Sequence, residues 1–283
     1  MKLAQLVFSL VFSLFFSLAF SLATPAWAAE QNWRERASAE DELTAGDISA
    51  EVAFGRAIAA RILGKYKAYD NPALIKYVNL VGQSLARSTN RPELDYRLTI
   101  LDTSEVNAYA APGGYVFITK GALLLMNDES ELAGVVAHEI AHVTEKHVVK
   151  ELKIKGVDDS VSSALARVVG GSSESARAAF SQAVEKGVEM IFKDGYNRAD
   201  EMQADKTAII VSALSGYDPA SLARYLERIS TLKEKARDPS DQTHPTFTAR
   251  IAQINEVITT DGLDIGGLMT NKERFATAMK GLK

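Results

Sequence analysis

The sequence predicts an α+β fold in which helices predominate and a small sheet precedes one central helix. Two segments with helical spacing of apolar residues, at about 47–66 and 72–88, open the folded part of the chain. Two short alternating segments, 95–103 and 114–121, read as strands, and helical periodicity then returns. The sheet is therefore expected directly before the segment that carries three of the four histidines.

Local signals define most of the remaining elements. Pro72 suits the first turn of the second helix, and "APGG" at 111–114 marks the turn before the second strand. The segment 156–187 is rich in Ser, Gly and Ala. It is expected as loosely packed helix and loop or, alternatively, as a mobile cover over a substrate groove. Further helices are predicted at about 122–126, 128–150, 198–214, 219–236 and 245–258.

The first 28 residues are typical of an export signal. Lys2 precedes a long apolar run, and Ala26-Trp27-Ala28 has the small-x-small pattern of a cleavage site. We expect cleavage before Ala29 and a location in the periplasm or cell envelope. The alternative is an uncleaved N-terminal helix that anchors the chain in a membrane.

The composition limits the chemistry that residues 29–283 can support, and we expect these residues to form a single domain with its core at about 47–258. The chain has no cysteine, so disulfides and thiolate metal ligands are excluded. Removal of the signal takes away one of 32 basic residues and none of the 36 acidic ones, which gives a net charge of −5. This acidic balance argues against nucleic acid as a partner.

The densest chemical signal is "AHEIAHVTEKH" at 137–147. On a helix, His138 and His142 lie about 40° apart around the axis, so both imidazoles face one point. Glu139 is offset from His138 by about 100°, which lets it approach water at a metal without becoming a ligand. If the helix continues, His147 points about 180° away from His138. We therefore expect it to pack, or to interact with the helix C-terminus, rather than to bind metal.

Two histidines leave a catalytic zinc one protein ligand short, because such sites use three protein ligands. The segment "NRADEMQAD" at 197–205 places Glu201 and Asp205 four residues apart on one helix face. In this arrangement one carboxylate binds metal and the other accepts a hydrogen bond from the outer nitrogen of a histidine ligand. An isolated pair with this spacing is more often a solvated acidic face, so the prediction depends on the histidine motif that precedes it.

Four blocks in a fixed order resemble the gluzincin metallopeptidases, and more closely the HtpX and CAAX-endopeptidase family in its soluble periplasmic branch, here without tetratricopeptide repeats. The resemblance implies one zinc ion per chain, bound by His138, His142 and Glu201. It also implies that Glu139 is the catalytic base and that Asp205 orients His138. The blocks are "NAYAAPGGYVFITKGAL" (107–123), "HEIAHVTEKH" (138–147), "RADEMQAD" (198–205) and "HPTFTARI" (244–251).

Beside a metal site, the segment 107–111 is expected to be an exposed edge strand that binds an extended substrate backbone by β-augmentation. The alternative is a hairpin that only packs. The substrate-binding residues expected from this interpretation are Asn107, Ala108, Tyr109 and Ala110.

Two residues of the last block are further catalytic candidates. His244 is expected either to donate a hydrogen bond to the oxyanion of a tetrahedral intermediate or to occupy the open metal position and hold the enzyme inactive. Arg250 is expected to stabilise the same oxyanion or to pair with a carboxylate in the site.

The resemblance implies a zinc endopeptidase that cleaves unfolded or misassembled envelope polypeptides, and it allows an association with the outer-membrane assembly machinery. The alternative is a zinc-stabilised periplasmic chaperone or assembly factor whose proteolysis is rare or suppressed. A structural zinc site is disfavoured, because such sites are closed by four protein ligands and are usually rich in cysteine.

Overall fold

The computed structural model describes residues 45–152, 154, 174–233, 245–263 and 268–282. It confirms a mostly helical α+β fold with one three-stranded sheet among the described residues. Three sequence predictions lie outside the described residues: the export signal at 1–28, the part of the cover segment at 156–173, and the placement of His244.

Two helices precede the sheet, as predicted: α1 (Ala45–Lys65) and α2 (Pro72–Ala86). Helix α2 begins where the Asn71 side chain accepts a hydrogen bond from the Leu74 amide at 3.1 Å, and a proline occupies its first turn. The residues that α1 buries on one face, spaced one turn apart, are Phe54, Ile58 and Ile62.

The sheet consists of β1 (Arg97–Leu101), β2 (Ala108–Ala111) and β3 (Tyr115–Thr119) in the order β1-β3-β2. Strand β3 is parallel to β1 and antiparallel to β2. Strand β2 therefore lies at an edge of the sheet. Asn107 is exposed and Ala108 is half-buried, but residues 109–111 are buried, backbone included, so the expected exposed edge is limited to Asn107 and Ala108.

Helices α3 (Lys120–Leu124) and α4 (Glu129–Thr144) follow the sheet. The side chain of Asp128 accepts from the amide of Glu131 at 2.9 Å and caps α4. Every residue of α4 is buried. Other elements therefore cover all faces of this helix.

The prediction of one continuous helix over 128–150 is wrong near its end. Helix α4 ends at Thr144, and Lys146 adopts the left-handed conformation with φ 60° and ψ 34°. A new short helix, α5 (His147–Glu151), starts directly after it. The bend at Lys146 turns the imidazole of His147 back toward α4.

Helix α6 (Glu174–Glu189) continues into a π-helical turn, Met190–Asp194, and α7 (Arg198–Leu214) follows. The ring of Phe180 in α6 contacts that of Phe54 edge to face, with centroids 6.1 Å apart. The described part of the segment considered as a cover is therefore a helix packed on α1.

Helix α7 packs against α4 with Ala204 fully buried between them. The chain then forms α8 (Ser221–Lys233), α9 (Phe247–Thr260) and α10 (Lys272–Met279), of which α10 was not predicted. Within the described ranges, no helix combines the length and the apolar character that crossing a membrane requires.

Candidate metal centre

The three predicted ligands converge where α4 faces α7. The Nε2 atoms of His138 and His142 are 3.1 Å apart. The carboxylate of Glu201 lies 3.7 Å from the first ring nitrogen and 3.6 Å from the second. One ligand atom from each residue can be chosen so that all lie within 4.8 Å of one another. The juxtaposition follows from i, i+4 spacing on a buried helix and a second helix that packs closely against it.

The outer nitrogen of His138 meets Asp205. The two atoms, Nδ1 and Oδ1, are 2.9 Å apart. The guanidinium of Arg250 donates to both oxygens of Asp205 at 2.7 Å, and its Nη1 lies 3.0 Å from Oε2 of Glu201. Arg250 therefore pairs with carboxylates in the site, which is the second of the two roles expected for it.

The surroundings of His142 include Tyr196, which the sequence did not identify, and His147, which it did not place there. The ring of Tyr196 stacks on the imidazole, with centroids 3.7 Å apart and planes 15° apart. At the edge of the same ring, Nδ1 of His142 lies 2.8 Å from Nδ1 of His147. Nε2 of His147 in turn lies 3.3 Å from Oε1 of Gln203. His147 is buried and lies outside the group of candidate ligands, and its ring approaches His142 because the break at Lys146 redirects it.

Burial controls the charge of the residues nearest to the candidate ligand atoms. It raises the pKa of the Glu139 carboxyl to about 7. Burial also lowers the pKa of His142 well below its ordinary value, and the neighbouring rings of His138 and His147 add to the effect. The ring of His142 is therefore neutral near pH 7 and keeps a lone pair for a metal.

Neighbouring charges determine the direction of the pKa shifts of His138 and Asp205. Burial and Arg250 act to lower the pKa of His138, but the hydrogen bond and the charge of Asp205, with the charge of Glu201, outweigh them and raise it. Burial would raise the pKa of Asp205, yet Arg250 and His138 hold it far below its usual range. Protonation of His138 therefore competes with metal binding.

The donor set fits a divalent ion such as zinc. It offers two imidazole nitrogens and a carboxylate oxygen, and the outer nitrogen of each ring has its own partner. The carboxylates of Glu139 and Glu201 line the cavity, and that of Asp205 lies behind His138. Among the residues that line the cavity, a single guanidinium, that of Arg250, faces these carboxylates. A bound cation would improve this balance of charge.

The candidate ligands line a cavity of about 510 Å³. Its polar floor includes Glu139 and Arg250, and the four residues 107–110 at the edge of the sheet form one rim. Pro245, the neighbour of His244, also lines it. Apolar residues of α3, α4 and α8 form another part of the cavity wall: Ala122, Val135, Leu222, Tyr225, Leu226 and Ile229.

Comparison with known proteins agrees with this geometry. A putative beta-barrel assembly-enhancing protease of Vibrio cholerae is 28% identical over 217 residues, which cover 74% of this chain and 44% of that protein. The beta-barrel assembly-enhancing protease of Escherichia coli K12 is 27% identical over 214 residues, 72% of this chain and 43% of that protein. Metalloprotease LoiP of the same organism is 25% identical over 196 residues, 68% of this chain and 74% of LoiP.

The chain thus spans less than half the length of the beta-barrel assembly-enhancing proteases that it matches. A family profile matches residues 72–258, from α2 to α9, and so includes every described candidate residue of the metal centre. This agrees with the metallopeptidase resemblance that the four sequence blocks carry. The chain belongs to peptidase family M48.

Proposed function

We propose that this chain is a zinc-dependent endopeptidase that hydrolyses peptide bonds of unfolded or misassembled envelope polypeptides. The observation that carries the proposal is the convergence of His138, His142 and Glu201 at the floor of a cavity that Glu139 also lines. A site of three protein ligands leaves a position open for solvent, as in catalytic rather than structural zinc centres.

Glu139 is the proposed general base. Bound zinc supplies Lewis acidity that lowers the pKa of water toward ~7. Glu139, with its pKa raised to about 7 by burial, accepts a proton from the attacking water near neutral pH and returns it to the leaving amine. A cation beside Glu139 favours its carboxylate form and so keeps the base ready to accept a proton.

Asp205 and Arg250 are proposed as positioning residues. Asp205 accepts from Nδ1 of His138, which leaves Nε2 of the neutral ring unprotonated for a metal. Arg250 holds both oxygens of Asp205 and approaches Glu201, so one guanidinium fixes two carboxylates that lie one helical turn apart on α7. The two roles considered for His244 remain predictions.

The edge of β2 suits an extended polypeptide. The Thr119 amide donates to the Asn107 carbonyl at 3.1 Å, and hydrogen-bonded pairs alternate along an antiparallel ladder. Ala108 and Ala110 therefore direct their backbone groups away from β3. Ala108 is half-buried there, whereas Ala110 is buried and its carbonyl lies 3.5 Å from the Tyr196 hydroxyl. We propose that Asn107, Ala108, Tyr109 and Ala110 bind substrate backbone there by β-augmentation, with apolar side chains against the cavity wall.

The substrate class rests on the relatives and on the sequence. Two of them are named as proteases that enhance beta-barrel assembly, and the N-terminal segment has the pattern of an export signal. We therefore propose a periplasmic location, envelope polypeptides as substrates, and an association with outer-membrane assembly. Binding through the backbone demands few particular side chains, which agrees with unfolded polypeptides as substrates.

The test compares the purified chain with Glu139→Gln on an unfolded polypeptide, with zinc content measured in both. We expect the variant to retain zinc and to lose at least about 100-fold in cleavage rate, since general-base contributions are of that size. The exposed Glu256→Gln in α9 is the matched control and should cleave like the wild type. Equal cleavage by Glu139→Gln would refute the proposal, and zinc binding without cleavage by any form would favour the chaperone alternative.

A further inference from the structure

We propose that His147 is a positioning residue for the metal centre, as part of a hydrogen-bond relay that runs from Glu145 through Gln203 and His147 to His142. The relay fixes the tautomer of His142 so that its Nε2 atom is free to bind a metal. This inference rests on the proposed zinc site. It gives Nδ1 of His142 a hydrogen-bond partner, as Asp205 is the partner of Nδ1 of His138.

The relay ends at the proposed metal ligand His142. His142 points Nε2 toward His138 and Glu201, and a metal ligand must present a lone pair there. A neutral imidazole with a lone pair on Nε2 carries its proton on Nδ1. That proton lies toward Nδ1 of His147, 2.8 Å away, so Nδ1 of His147 must accept it.

The relay also passes through His147, which is 4% exposed. Since its Nδ1 accepts, a neutral ring carries the proton on Nε2. The Nε2–H group donates to Oε1 of Gln203 at 3.3 Å. Asp200 places a carboxylate oxygen 3.8 Å from the same nitrogen, and its negative charge also favours the proton on that side.

Glu145 determines the orientation of the Gln203 amide. Its Nε2 group donates to Oε2 of Glu145 at 2.6 Å, and a carboxylate can only accept. The amide oxygen of Gln203 must therefore face His147. The hydroxyl of Thr207 donates to the other Glu145 oxygen at 2.7 Å and holds that carboxylate in place.

The backbone supports the same interpretation. Lys146 adopts a left-handed conformation, in which the Cβ atom crowds the following carbonyl oxygen. Without this bend a continued helix would point His147 away from the metal centre. Strain of this kind persists where the surrounding structure holds it, often at functional sites. The relay gives a reason for the strain at this position.

The experiment measures zinc affinity of the purified chain by competition with a chromogenic chelator. His147→Leu removes the acceptor and is expected to weaken zinc binding by about 10-fold to 100-fold, as for other partners of metal-ligating histidines. His147→Asn restores an acceptor oxygen near the position of Nδ1 and should recover most of the affinity. Long-range proton–nitrogen spectra of the zinc-bound wild type should show His142 protonated on Nδ1 and His147 on Nε2.

Several outcomes would overturn the relay. The first is a zinc affinity of His147→Leu equal to that of the wild type. The second is a loss of zinc affinity in His147→Asn as large as that in His147→Leu when both metal-free variants are folded. The third is a spectrum that shows His142 protonated on Nε2 and His147 on Nδ1. If His147→Leu does not fold, the exposed Gln203→Leu replaces it: a loss of about threefold, the size of one hydrogen bond, supports the relay and unchanged affinity contradicts it. A wild type that binds no zinc would refute the proposed function instead.

Discussion

Among single side chains, the site depends on charges that are buried and paired. Asp205 is fully buried, and Arg250 provides both of its oxygens with a donor. A buried carboxylate that loses its partner destabilises the folded state far more than an exposed one does. The same guanidinium also reaches Glu201, so stability and ligand geometry depend on one side chain.

Replacement of Arg250 by lysine should separate charge from geometry. Lysine keeps the positive charge but cannot contact both oxygens of Asp205 and still reach Glu201. We expect Arg250→Lys to bind zinc about tenfold more weakly, and Arg250→Met, which leaves the buried Asp205 unpaired, to lose about 3–5 kcal/mol in the free energy of unfolding. Chelator competition and urea unfolding measure the two effects. Wild-type zinc affinity in Arg250→Lys would contradict the positioning role.

The candidate ligands were predictable from the sequence because their spacing is local. His138 and His142 share a face on any helix that contains them, and Glu201 and Asp205 do the same on the next one. Tyr196 was not predictable, because it reaches His142 through the fold and stands at no characteristic distance from the histidine motif.

Among helices and strands, α1 approaches the turn between β2 and β3 so closely that position 55 has room only for glycine. A Cβ atom built on Gly55 would overlap the carbonyl oxygen of Pro112, whereas one built on Gly64 meets nothing within 4 Å. Both glycines belong to α1, so they differ in tertiary contact and not in secondary structure.

These two glycines give a matched pair of substitutions. Gly55→Ala should lower the free energy of unfolding by about 1–3 kcal/mol, because α1 must move away from the turn. Gly64→Ala should raise it by about 0.5–1 kcal/mol, because alanine restricts the unfolded chain and favours the helix. Urea unfolding measures both. Changes of the same sign would show that the contact with Pro112 does not limit the packing of α1.

Element boundaries were predictable where a capping residue marks them. The predicted 198–214 coincides with α7, which Asn197 caps through its side chain. The end of α4 was missed because the left-handed residue there is Lys146, and lysine carries none of the preference that glycine or asparagine has for that conformation. Helix α10 was missed because it is only 8 residues long and depends on tertiary contacts.

Across the chain, Glu129 joins parts that are far apart in sequence. Its carboxylate is fully buried and accepts from the hydroxyl of Tyr77 at 2.7 Å and that of Tyr217 at 3.0 Å. Asn271 and Arg274 donate to it from the C-terminal segment. One side chain at the start of α4 thus links α2, the turn after α7, and α10.

Glu129 should make the protein sensitive to acid. Burial would raise its pKa, but hydrogen bonds from Arg274, Tyr77 and Tyr217 outweigh burial and lower it from the ordinary value of 4.5. A carboxyl whose folded pKa is depressed stabilises the fold above its unfolded pKa, and this contribution is lost as the pH falls through the folded pKa. We therefore expect the free energy of unfolding to fall below about pH 4.5.

Glu129→Gln tests this contribution. The variant keeps the volume but loses the charge, so it should be less stable by about 1–3 kcal/mol at pH 7 and should show a shallower loss of stability in acid. Unfolding in urea at several pH values measures both effects, with the exposed Glu256→Gln as control. An acid slope in Glu129→Gln as steep as that of the wild type would assign the sensitivity to other carboxyls.

Anomalous diffraction at the zinc edge from crystals of the zinc-loaded protein tests most directly whether His138, His142 and Glu201 hold the ion. We predict one ion within about 2.2 Å of Nε2 of His138, Nε2 of His142 and a carboxylate oxygen of Glu201. An ion held by the two histidines without Glu201, or bound elsewhere on the chain, would contradict this prediction.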